Sequence, residues 1–225
     1  MNKPNLELPV HQTNQPLTRM AEDVRAMSVA AQANLVQLRV FVARRIGTGH
    51  LAFDHPVRSP GAVRSYRDAL IDRDALKAYT PEQVLLCTHE VWGQHCLFQW
   101  VLDADSESAS DADAASRSEP PELRCDAVLA VNLAEISGLF WRVRFEQRCR
   151  AQADHAKSAW YTEGRALAET IPAVACSKPV AEASDDEMLC TACEFVGMLS
   201  ALRWIMDRRR DWGEPGIGEV GDRPF

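Results

Sequence analysis

Lysine is almost missing from this chain: 4 of its 225 residues, against 21 arginines. With its abundant alanine, that ratio reads as the codon bias of a GC-rich bacterial source. No run of 18 apolar residues free of charge occurs, and residues 1–16 are polar where a secretory leader would be apolar. These absences exclude a spanning segment and an export signal as readings, so a cytoplasmic location is expected. No strand-like alternation of four or more residues stands outside the helical patterns, and no internal repeat has a fixed period. Chemical signatures are missing too. There is no G-x-S-x-G elbow, no P-loop and no G-x-G-x-x-G. A di-iron carboxylate bundle needs an E-x-x-H pair on each of two helices, but Glu90 is followed by Gly93, Glu135 by Gly138 and Glu146 by Cys149. The sequence gives no support to an enzyme and implies no cofactor.

What is present is 46% hydrophobic residues, enough for one sizeable core. The formal charge of −7 is uneven. Seven acids between Asp103 and Glu122 face Arg117 alone, so the remainder, 24 basic and 25 acidic residues, is close to neutral. An anionic partner is therefore not excluded by the overall charge.

Helical periodicity organises the rest. Met20, Val24, Met27, Ala31, Leu35, Leu38 and Val42 predict a long helix over 17–46. A shorter one is expected from Pro60 to Tyr79. Thr80, Pro81 and Gln83 predict a capped start to a helix reaching Leu102. One face of that helix carries Val84, Cys87, Val91, Phe98 and Val101, and a second carries Leu85, His89, Trp92, Cys96 and Trp100, which places it at the centre of a bundle. Residues 103–121 are low-complexity Asp, Ser and Ala, read as a disordered acidic linker. Leu129, Leu133, Ile136, Phe140 and Val143 mark another long helix, continued or bent into 154–171. After a loop over 172–183, Ser184 and Glu187 form a second capping box, opening a helix to about Arg210. The expected fold is all-α, a bundle of about five or six helices. Its halves, 17–102 and 122–210, pack as one domain between flexible ends at 1–16 and 211–225.

Three constellations invite chemistry. Cys87, His89, Glu90, His95 and Cys96 mix thiol, imidazole and carboxylate within ten residues, but only residues three or four apart share a helix face. A metal there needs ligands from another helix, for which Cys190 and Cys193 are candidates. The seven cysteines are otherwise read as reduced, packed hydrophobes, and Cys193, Gly197 and Ala201 as a small-residue stripe for close helix packing. Arginines cluster at 142, 144, 148 and 150 and again at 208, 209 and 210 (Arg142, Arg144, Arg148, Arg150, Arg208, Arg209, Arg210), near helix C-termini where cations favour the dipole, with phosphate contact as the sharper reading. Of the six tryptophans, Trp160, Trp204 and Trp212 are candidate interface residues. The reading that follows is a non-enzymatic helical interaction protein, engaging a protein partner or a second copy. A nucleic-acid-associated protein and a metal- or cofactor-binding bundle are the alternatives.

Overall fold

A computed structural model describes residues 19–45, 79–102, 123–151 and 159–208, the side chains of 43–45 and 160 excepted. The helix expected over 60–79, the acidic linker and both termini lie outside the described residues, save Tyr79. Five helices are described: α1 (Ala21–Arg45), α2 (Pro81–Leu102), α3 (Asp126–Ala151), α4 (Ala159–Thr170) and α5 (Asp185–Met206). The all-α bundle is as the periodicity requires. Within the loop before α5, strands β1 (Val174–Ala175) and β2 (Lys178–Pro179) pair antiparallel, too short to leave an alternation in the sequence.

Local signals set the helix starts. The Thr80 hydroxyl accepts from the Gln83 amide while the Gln83 side chain accepts from the Thr80 amide. Ser184 and Glu187 repeat that exchange at α5, satisfying donors that a helix start leaves without intrahelical partners. α5 stops at Met206, one turn before the expected end, where Asp207 turns extended and its amide closes on the Arg203 carbonyl.

Helices α2 and α5 form the centre and run parallel. Leu86 packs with Cys190 and Cys193 near their starts, and Phe98 meets Trp204 edge-on near their ends, centroids 6.2 Å apart. α1 covers α2, and α3 covers α5. Both outer helices run opposite to the inner pair. The Arg19 amide, before α1, bonds the Ile205 carbonyl, and the Arg124 amide, before α3, bonds Val101. The fully buried side chains Val24, Leu38, Val84, Phe98, Val101, Leu129, Met188, Leu199, Leu202 and Ile205 come from all four long helices, so they make one core.

The inner pair touches through backbone. A Cβ on Gly93 would collide with the Glu194 carbonyl, and one on Gly197 would collide with the Glu90 carbonyl. Each glycine therefore seats the other helix's carbonyl. The expected close packing at Gly197 is found, and its partner is an equivalent glycine, three residues after a glutamate in both helices.

Two expectations are corrected. α2 is covered on two sides, but its second stripe is Leu86, Glu90, Gly93, Gln94 and Leu97. The stripe predicted instead, through Leu85, His89, Trp92, Cys96 and Trp100, lies at the margin, and Trp92 is 37% exposed with the Arg39 guanidinium 5.4 Å over its ring. Shape decides this, because only glycine admits a neighbouring backbone at the crossing. Trp204, assigned to an interface, is 2% exposed and belongs to the core, between Phe98 and the Arg19 guanidinium. Trp212 and the side chain of Trp160 fall outside the described residues.

Candidate functional site

The α2–α5 crossing gathers chemistry from both halves of the chain. Glu90 and Gln94 are buried beside Gly93, and Cys190, Thr191 and Cys193 are buried on α5. On the rim, His89 Nδ1 lies 2.7 Å from Glu194 Oε1, with a quarter of each side chain exposed. His89 is also hydrogen-bonded to the Cys190 side chain. Burial pushes this imidazole down, but the hydrogen bonds and negative charge of Cys190 and Glu194 together overcome it and lift His89 from 6.5 to about 9. At neutral pH it is an imidazolium joining a thiol to a carboxylate.

The other thiols differ. Burial, reinforced by Glu90, pushes Cys87 up to about 12 and Cys193 higher still, so both stay protonated. Cys96 is raised by burial and by Glu194. Cys176 is exposed at the tip of the β1–β2 hairpin. It and Ser177 both adopt left-handed backbone, φ 50° and 68°, a conformation that two-residue hairpin turns require. That turn lays Cys176 on α5, where its thiol donates to the Glu187 carbonyl at 4.0 Å and hydrogen-bonds the Thr191 side chain.

No family model, curated protein or solved structure matches this chain. Its chemistry is therefore read from its own geometry.

Of the candidate metal residues, the structure brings His89 to Cys190, and Cys87, Glu90 and Cys193 near one another. His95 instead stacks obliquely with Trp92, centroids 5.9 Å apart, and is held down by burial and then by Arg39. Among the described residues, no three His, Cys, Asp or Glu side chains are grouped so as to hold a metal ion.

The first arginine cluster is occupied within the fold. Arg142 donates to the Ala168 carbonyl and to Glu146, and Arg144 to Gln147. Arg150 reaches across to the loop before α5, donating to the carbonyls of Val180, Ala181 and Ala183 and to Asp185. The Glu146 carboxylate, 9% exposed, also receives Arg165 from α4 at 3.2 Å. Arg148 makes interactions too. In the second cluster Arg208 is exposed, and Arg209 and Arg210 lie outside the described residues.

A different surface stands out on α1. Its inward face, Val24, Met27, Ala31, Leu35 and Leu38, is buried against α2, yet Val29, Val36 and Val40 are 66, 58 and 45% exposed. At 100° per residue these three valines fall within one narrow stripe on the opposite side. Sequence reasoning missed that stripe because the regular inner one accounted for the helix. It also missed Glu194 and Cys176. The shared E-x-x-G spacing of Glu90–Gly93 and Glu194–Gly197 was the signal that could have paired the two helices.

Proposed function

We propose that this chain is a helical protein-interaction protein that self-associates through the outward face of α1. The observation that carries this reading is the stripe Val29, Val36 and Val40, three β-branched apolar side chains more than two-fifths exposed on one face of a 25-residue helix. A helix apolar on two sides asks for cover on two sides, and α2 supplies only one. Charge order supports a second copy as the cover. Glu22 and Asp23 lie in the first turn, and Arg44 and Arg45 end the helix in sequence, so an antiparallel pair sets opposite signs against each other at both ends.

α5 is long and apolar enough to cross a membrane, but 61% of it is buried as a core helix, which favours a protein partner over a lipid one. The nucleic-acid alternative is weakened by the internal hydrogen bonds of Arg142, Arg144 and Arg150.

Sedimentation velocity of the full chain and of Val29→Glu/Val36→Glu tests the reading. The wild type should dimerise with rising concentration, and the variant should stay monomeric with unchanged helicity. A wild type that remains monomeric, or a variant that dimerises equally, refutes self-association through α1.

A further inference from the structure

The interaction reading leaves the thiols around the start of α5 unused. We propose that Cys190 is a modification site for hydroperoxides, and that Cys176 captures its oxidised form as a reversible disulfide. The arrangement rests on four side chains from three elements. Cys190 and Glu194 stand one turn apart on α5, and His89 comes from the parallel helix α2 to bond both. Cys176 arrives from the hairpin, its thiol on the carbonyl of Glu187 and the side chain of Thr191, the residues that flank Cys190 on this face of α5. The other neighbouring thiols, Cys87 and Cys193, face Glu90 and are buried away from reagents.

The first step is a displacement. Cys190 releases its proton to solvent and its sulfur attacks the distal oxygen of the hydroperoxide. The O–O bond breaks, and the departing alkoxide takes a proton from the His89 imidazolium, which solvent restores. The sulfur is oxidised by two electrons to a sulfenic acid, and the peroxide is reduced to an alcohol, or to water when the reagent is hydrogen peroxide. Glu194 is a positioning residue, fixing the ring so that its other nitrogen faces sulfur. In the second step the Cys176 sulfur attacks the Cys190 sulfur. An S–S bond forms, the S–O bond breaks, and the hydroxyl leaves as water with the Cys176 proton. A small-molecule thiol reverses this by exchange.

The experiment uses the reduced full-length chain, hydrogen peroxide as oxidant, and peptide mapping after quenching with N-ethylmaleimide. Exposed Cys125 serves as an internal reference thiol. Cys190 should be oxidised about tenfold faster than Cys125, since an adjoining cation favours thiolate chemistry. The product should be a peptide linked through Cys176 and Cys190. In Cys176→Ser, dimedone should instead trap a sulfenic acid on Cys190. Glu194→Gln should slow the reaction severalfold with helicity intact, and Glu194→Asp should recover part of the rate. The proposal is overturned if Cys190 reacts no faster than Cys125, if the disulfide joins Cys190 to Cys193, or if Glu194→Gln reacts at the wild-type rate. The first two readings need no variant, so they hold even if a substitution impairs folding.

Discussion

Adding one methyl group at the crossing of α2 and α5 should separate two helices that now touch through backbone. In Gly197→Ala the new Cβ falls on the Glu90 carbonyl, and in Gly93→Ala on the Glu194 carbonyl. Neither obstacle can turn aside as a flexible side chain would, so the helices must move apart. Overpacking of a tight core costs roughly 1–3 kcal/mol and sometimes more, and a backbone obstacle puts these sites at the upper end. Alanine returns about 1 kcal/mol of helix propensity. The net cost is then about 2 kcal/mol per substitution, a fall in Tm of roughly 4–8 °C for a chain of this length. The double variant should cost less than the two single ones added, because one separation relieves both clashes. Gly138→Ala is the control: its Cβ would meet Ile171 Cδ1 at an ordinary 3.9 Å, so propensity alone acts and the Tm should rise slightly. Melting followed by far-ultraviolet circular dichroism decides the matter. If Gly93→Ala or Gly197→Ala melts within about 1 °C of wild type, the backbone contact is refuted.

Trp204→Ala should destabilise by about 3–5 kcal/mol as a loss of a buried aromatic, and Trp92→Ala by about 1–2 kcal/mol because its ring is partly exposed. Urea denaturation should rank them in that order. Raising His89 from 6.5 to about 9 stabilises the protonated folded state, so the contribution, at most about 3 kcal/mol, is fully present below pH 6.5 and is lost as pH rises through 9. A stability profile across that window should flatten in His89→Gln. Glu146→Ala should cost about 3 kcal/mol or more, since it leaves the inward donors of Arg142 and Arg165 without their carboxylate. Chemical denaturation beside Arg165→Ala, which removes one donor only and should cost less, checks that figure.

Much of the fold was legible because its signals are local. Capping at Thr80 and Ser184 depends on residues three apart, and the core stripes of α1 and α3 repeat within one helix. The contacts that define the centre are different in kind. His89 and Glu194 are 105 residues apart, and their meeting depends on the register of two parallel helices, which periodicity does not encode. Periodicity also weights bulk, so Trp92 and Trp100 drew the second buried face toward themselves. The helices instead approach where side-chain volume is smallest, at Gly93. Arginine spacing likewise gave no hint that Arg150 would satisfy three loop carbonyls.

The glycine crossing has a meaning in terms of symmetry. α2 and α5 are parallel, each offers a glutamate carbonyl and a glycine three residues later, and each is backed by one antiparallel helix. Two parallel helices that exchange like contacts are related by a local two-fold axis along their length, the relation between subunits in an isologous dimer. The two halves of this chain thus meet as two protomers would, with the residues between Leu102 and Leu123 serving only to keep them at high effective concentration. Separate fragments ending and beginning in that stretch should find each other and rebuild the same centre.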